Sequence, residues 1–497
     1  MENIFAAMET AFTLPSIIAI FAGVLIGIIM GVLPGLTVTM GVALLFPVTF
    51  ALDGLSGILM LLGIYIGAVY GGSIPAILLN TPGTPASAAT MIEGYPLVKK
   101  GEAGRALKLS TIASGVGGIT SNILLILVAP MLAAVALNFS APEYFALAIF
   151  GISIIVSISA DSVTKGLIGG VFGLLIATVG IDAVTGYTRF TFDSTYLLGG
   201  ISFIPVLVGL FAFSQTLITI EENFGQKPQK ALLKMKGFFP SKADWRATRA
   251  HMFRSGLIGT FIGTIPGTGG DIAAYVSYNE SKRFAKKPEE FGKGSIEGLA
   301  APEAGNNAVT GGAMVPMTTL GIPGDSVTAI ILGALMIQGI QPGPLLFKEQ
   351  PDQVYGLFLG LLVANIVMVI LGLIGIRYFA KIVHVPKAIL SPIIFILCFV
   401  GAFAINNSII DVFVMVGAGI LGYILIKLKF SMSPIVLGII LGPMIESNMQ
   451  RSLIMSGGDI SIFFTRPISA AFLLLTALAL IAPPFLNWRK RRKQENT

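Results

Sequence analysis

Two stretches, Leu78–Thr90 (LLNTPGTPASAAT) and Thr318–Ile330 (TTLGIPGDSVTAI), set Pro–Gly pairs and hydroxyls inside strongly apolar surroundings. Proline lacks a backbone N–H and glycine accepts unusual dihedrals, so each pair ends one half-helix and starts another. N–H groups freed at a half-helix start, with the positive dipole end behind them, favour an anion. Freed carbonyls favour a cation, and hydroxyls serve either. The candidate substrate-binding residues are therefore Asn80, Thr81, Pro82, Gly83, Thr84 and Ser87 in one break, and Gly321, Pro323, Gly324, Asp325 and Ser326 in the other.

A second matched pair of breaks, GVLPGLT and GTIPGTGGD, adds Pro34, Gly35, Gly267, Thr268, Gly269 and Asp271 as candidate ion-coupling residues. The segment APEAGNNAVTGG adds Glu303, Asn306 and Asn307. Carboxylates inside a bilayer are costly and usually functional, so Asp271, Asp325 and Glu303 are each suited to bind Na⁺ or carry a proton. The plainer readings are proline kinks packed by neighbouring helices and an Asp325 that caps its own helix start. Kinks explain a single break more readily than two at matching positions; for Asp325 the cap and the ligand stay equally open.

Other chemistries find little support. The glycine-rich Gly263–Asp271 is not followed by Gly-Lys-Ser/Thr, and Thr268 stands where the first glycine of a Gly-x-Gly-Asp protease motif belongs. With two histidines and one cysteine, Cys398, there is no His/Cys metal cluster and no reactive constellation. An enzyme is not expected, nor a cofactor beyond Na⁺ as a candidate coupling ion.

The elements that must hold these residues are membrane helices. Of 497 residues, 54% are hydrophobic and only 11% charged, where soluble domains carry about 25%; mean hydropathy is +0.86. Apolar runs of roughly 20 residues argue for helices rather than a β-barrel. The expected fold is an all-α polytopic membrane protein. The net charge of +7 is no nucleic-acid signal, because the basic residues collect beside apolar spans.

Internal repetition is the most informative pattern. Phe21, Gly27, Gly31, Pro34 and Gly35 recur 232 residues on as Phe253, Gly259, Gly263, Pro266 and Gly267. Gly71, Pro75, Pro82 and Gly83 recur 241 residues on as Gly312, Pro316, Pro323 and Gly324, the offset growing across the polar insertion Lys282–Glu297. The spans 1–220 and 255–459 thus read as two transmembrane repeats joined by a basic linker, 221–254, with 460–497 as an extra helix and basic tail. The linker carries eight Lys/Arg against three acids. With the basic clusters near Lys99–Lys108, Arg377–Lys387, Lys427–Lys429 and Arg489–Lys493, it belongs in the cytoplasm by the positive-inside rule. The Lys/Arg-poor connections 138–141, 181–196, 406–407 and 446–459 belong outside, as does the acidic N-terminus. The repeats are then inverted, with broken or re-entrant helices, a pattern of secondary transporters.

At these motifs the chain resembles the TctA family, the large membrane subunit of tripartite tricarboxylate transporters. GVLPGLTVTMGVALLFPVTF, YGGSIPAILLNTPGTPASAATMIEGYPLVKKGEAGRAL, GTIPGTGGDIAAY and the run from APEAGNN to GPLLF carry the likeness, which covers about residues 15–485. The resemblance implies a permease of the bacterial inner membrane. Its partners would be a small four-helix membrane subunit and a periplasmic substrate-binding protein, its substrate a citrate-like di- or tricarboxylate driven by a cation gradient. A channel, or a membrane-embedded enzyme acting on a small anion, is the alternative; a channel would conduct without a binding protein and without cation coupling.

Overall fold

A computed structural model describes residues 12–33, 35–52, 54–159, 162–222, 240–383, 385 and 387–495. The chain is almost wholly helical. The first half comprises α1 (Leu14–Val32), α2 (Val38–Leu45), α3 (Gly54–Gly71), α4 (Ser73–Leu79), α5 (Ser87–Lys99), α6 (Ala103–Ala136), α7 (Ala141–Ser159) and α8 (Val163–Ala177). A two-stranded hairpin follows, β1 (Gly180–Ile181) and β2 (Thr188–Arg189). The half ends in α9 (Phe203–Leu207) and α10 (Ser214–Glu222), joined by a π-helical segment over Val208–Phe213. The second half comprises α11 (Lys242–Gly263), α12 (Gly269–Phe284), α13 (Ile296–Leu320), α14 (Ser326–Ile337), α15 (Leu346–Glu349), α16 (Pro351–Ile382), α17 (Lys387–Asn406), α18 (Ile409–Lys427) and α19 (Met432–Met455). The short α20 (Ile462–Thr465) and the long α21 (Pro467–Glu495) close the chain. Among the described residues, eight helical stretches are long and apolar enough to cross a membrane.

The breaks fall where Pro–Gly predicts. α4 stops at Asn80 and α13 at Gly321, both left-handed with φ of 55° and 70°, and each turn is closed by a bond back to a proline carbonyl, Thr81 N–H to Pro75 and Ile322 N–H to Pro316. α11 begins at Lys242, inside the basic linker, because Ser241 and Asp244 form a reciprocal capping box there. Residues 223–239 of that linker lie outside the described residues.

Close helix contacts recur at the two sequence offsets. A methyl added to Gly27 would strike the Ile64 carbonyl, and one on Gly259 the Gly305 carbonyl. Gly31 faces Ala68 as Gly263 faces Val309; Gly71 faces Ile28 and Gly31 as Gly312 faces Thr260 and Gly263. Every pair obeys the offsets 232 and 241, so α1 on α3 and α11 on α13 are the same glycine-mediated packing.

The long helices cross over. α6 packs on α11 and α13, while α16 packs on α1 and α3. The later helices do likewise: α8 lies on α19, and α18 lies on the Val208–Phe213 segment. α21 lies against α7, where Arg466 pairs with the buried Glu143 at 2.5 Å. The polar insertion divides: Ala285–Glu290 is largely exposed, but Phe291–Ser295 is fastened to α5. Its Gly292, Gly294 and Ser295 N–H groups, and Tyr278 Oη at 2.8 Å, all donate to the fully buried Glu93.

Candidate functional site

The four breaks open onto one cleft of about 650 Å³. Its walls come from positions related by the repeat: Thr37 and Gly269, Val38 and Gly270, Thr39 and Asp271, Tyr65 and Asn306, Thr84 and Asp325, Pro85 and Ser326, Ala86 and Val327. Ile155, the π segment and the turn Phe430–Ser433 complete it. Among the described residues, two carboxylates line the cleft and no Lys or Arg does.

The helix starts at the four breaks are finished by their own side chains, with one exception. Thr37 Oγ1 accepts from Met40 N–H at 3.1 Å and so caps α2. Thr84 and Ser87 form a reciprocal pair at the start of α5, Thr84 N–H to Ser87 Oγ at 3.1 Å and Ser87 N–H to Thr84 Oγ1 at 3.3 Å. Asp325 and Thr328, 241 residues on, repeat it at 2.9 and 2.8 Å. The exception is α12. The hydroxyl of Thr268, which precedes it, turns back to the Ile262 and Ile265 carbonyls, and no side chain caps the helix. The N–H groups of Gly269, Gly270 and Asp271 therefore keep the unfilled donor capacity of a helix N-terminus, at the wall of the cleft. Gly267 (φ 84°) and Gly269 (φ 67°) permit this turn, and Gly267 N–H ties it to the Gly324 carbonyl at 2.7 Å, joining the two breaks of the second half.

The two carboxylates are held differently. Asp325 is saturated: its Oδ2 accepts from Tyr65 Oη at 2.5 Å, its Oδ1 from Val327 N–H, Thr328 N–H and Thr328 Oγ1 at 3.1, 2.8 and 2.8 Å. Asp271 is exposed to the cleft. Beside it stands the 4%-exposed Asn306, whose Nδ2 has no partner. Ser326 and Ser433 share a hydrogen bond of 2.6 Å across the cleft wall.

Of the residues read from sequence, Thr84, Gly267, Thr268, Gly269, Asp271, Asn306, Asp325 and Ser326 meet at the cleft. Gly83, Ser87, Gly321, Pro323 and Gly324 shape the breaks behind it, and Gly35 stands beside the α2 start. Asn80, Thr81 and Pro82 are exposed on the turn after α4 and do not line it. Glu303 and Asn307 are buried in the α6–α13 interface instead. Pro34 lies outside the described residues. Sequence reasoning missed Thr39, Tyr65, Gln215, Ser431 and Ser433. For two of these a signal existed, since Thr39 and Tyr65 are the repeat partners of Asp271 and Asn306.

Fold and site together define a class: a multi-pass, all-helical membrane protein whose polar cleft is built from the starts of broken helices. A family model described as "Tripartite tricarboxylate transporter TctA family" matches residues 17–437, and the chain belongs to that family. It is 39% identical over 492 residues, 99% of its own length and 98% of the other's, to an Agrobacterium vitis protein titled "Uncharacterized 52.8 kDa protein in TAR-I ttuC' 3'region". A second protein of that organism, from the TAR-II ttuC' 3' region, is 39% identical over 236 residues, 48% of this chain and 98% of that protein. No solved structure matches. The chain is therefore a tricarboxylate transporter subunit of the membrane.

Proposed function

We propose that this chain is the permease subunit of a cation-coupled importer of a citrate-like di- or tricarboxylate. It would work in the bacterial inner membrane with a small four-helix membrane subunit and a periplasmic binding protein, its two repeats inverted, its N-terminus periplasmic and its C-terminus cytoplasmic. The observation that carries the reading is the cleft: matched helix starts from both repeats, one left uncapped, with two carboxylates and no basic side chain among the described residues.

The uncapped N–H groups at Gly269–Asp271 and the hydroxyls of Thr39, Ser326 and Ser433 are suited to receive a carboxylate group. A carboxylate entering a site that already contains Asp271 and Asp325 meets like charge, which strengthens in a low-dielectric setting. A cation bound with it, or a proton on Asp271, removes that repulsion and makes substrate and cation bind together. This is symport argued from charge. Holding the anion by backbone dipoles instead of a desolvated bidentate arginine also favours release. The volume lies within the roughly 300–1,000 Å³ of small-molecule sites.

The ion pairs fit the charge-based topology. Arg105–Asp244 and Lys427–Glu221 each join two positions read as cytoplasmic, and Arg189–Glu446 joins two read as outside. The test is uptake of labelled citrate by proteoliposomes holding the permease, its small subunit and the binding protein, with and without a Na⁺ gradient. Uptake that follows Na⁺ and requires the binding protein is expected. Uptake following the pH gradient alone would make Asp271 a proton carrier, and flux without any cation coupling would replace the reading by a channel.

A further inference from the structure

Away from the cleft, three helices bring surplus oxygen together. Glu303 on α13 is 0% exposed, and its donors are neutral hydroxyls: Thr90, Ser110 at 2.8 Å and Ser114 at 3.0 Å. One turn along α13, Asn307 is 1% exposed and donates its amide to the Glu303 backbone carbonyl at 3.0 Å. On α16, Asn365 is 0% exposed and donates to the Leu361 carbonyl at 2.9 Å. An amide nitrogen must face each carbonyl, which fixes the orientation of both side chains and leaves both Oδ1 atoms as buried acceptors with no donor.

The packing sets these atoms along one face of α6. Ser110, Ser114 and Gly118 recur there every fourth residue. Glu303 bonds the first two, and Asn365 Oδ1 lies against Gly118 where any side chain would put its Cβ. Gly117 meets the Ala304 backbone and Gly311 meets Ser121, so Asn307 sits between them on the side of α13 that turns to α6. What is left over is one-signed: a carboxylate and two amide oxygens, with hydroxyl oxygens beside them. Buried acceptors without donors are costly, and so is a lone carboxylate at membrane depth. Hard cations take oxygen ligands, and a single carboxylate matches a single positive charge.

We propose that Glu303, Ser114, Asn307 and Asn365 form a buried binding site for a dehydrated monovalent cation of sodium's size, between α6, α13 and α16 and separate from the cleft. Its part in driving transport rests on the symport reading above; its existence does not. The test is equilibrium binding of ²²Na⁺ to the purified protein in lipid nanodiscs, without carboxylate and against a K⁺ background, with melting temperatures measured alongside. Saturable binding is expected, weakened at least tenfold in Asn365→Leu and Asn307→Leu. Asn365→Asp, which keeps the oxygen, should retain it, and so should Gly417→Ala, whose added methyl meets nothing within 4 Å. If a leucine variant fails to fold, the Asn365→Asp and Asn365→Ser pair decides, because the shorter serine oxygen should lose affinity and the aspartate should not. No Na⁺ binding by the wild type, or leucine variants that bind as it does, overturns the site and points to a buried water bridging the two amides. Intact ²²Na⁺ binding together with uptake indifferent to any cation gradient would sink the symport reading and leave the site standing.

Discussion

Two aspartates share the cleft, and their surroundings assign them different work. Asp325 is already occupied by Tyr65, Val327 and Thr328, while Asp271 faces open space beside an unpartnered Asn306 amide. Tyr65→Phe removes one hydrogen bond and should destabilise by about 1 kcal/mol, with the number of cations moved per substrate unchanged. Asp271→Asn should do the reverse, leaving the melting temperature near wild type and abolishing cation dependence. A charge-to-substrate flux ratio in proteoliposomes, beside a thermal melt, checks both; a normal ratio in Asp271→Asn removes that residue from coupling. At this scale the sequence shows residue types but not their partners. Asp325 read equally well as cap or ligand because its decisive contact, with Tyr65, spans 260 residues. Asn80 and Thr81 looked like binding groups by their chemistry, yet Asn80 is the left-handed residue that ends α4, and both are exposed on the turn without lining the cleft.

Helix ends and glycine seams carry the architecture between residue and molecule. Thr84→Ala and Ser87→Ala each break one arm of a capping pair and should cost about 1 kcal/mol. Gly324→Ala has less latitude: its Cβ would lie 2.6 Å from Ala313 Cα, as a Cβ on Gly83 would lie 2.6 Å from the Gly31 carbonyl. Overpacking of this kind costs about 1–3 kcal/mol, so both variants should melt earlier and transport less. Gly417→Ala, which meets nothing within 4 Å, should match wild type in the same melt. The outer hairpin adds a pH dependence. Thr185 N–H, then Gln450 and Val184 N–H, hold the Asp182 carboxyl well below the usual carboxylate range. A depressed pKa stabilises above the ordinary value near 4 and is lost as pH falls through the lowered one. Protease resistance of the 180–202 connection should therefore persist from neutral pH down to about 4 and decline progressively as the pH falls further. Pro–Gly placement made the breaks legible in advance. The fastening of Phe291–Ser295 was not, because Glu93 is gripped by backbone N–H groups nearly 200 residues away that no side-chain pattern announces.

At the scale of the whole molecule, the repeats interlock. Each half contributes a glycine-seamed pair, α1 with α3 and α11 with α13, yet the long helix covering each pair belongs to the other half. The sequence offsets 232 and 241 revealed equivalent positions but not this exchange, since a repeat stacked beside its copy and one threaded through it share the same arithmetic. The exchange constrains stability. A first half alone would expose the α6 face carrying Ala103–Ser121, which is largely buried against α11, α13 and α16. It would also leave uncovered the α1 and α3 surfaces that α16 occupies, and buried apolar area contributes roughly 25 cal/mol per Å². Neither half should then fold by itself. Cutting the chain between residues 223 and 239 and expressing 1–230 and 231–497 separately should give two products that are degraded. Co-expression should restore a complex that co-purifies, binds ²²Na⁺ and melts within a few degrees of the intact chain. A first half that accumulates alone, with protease-resistant α1, α3 and α6, would show that the halves are independent bodies and that the crossed packing adds little to their folding.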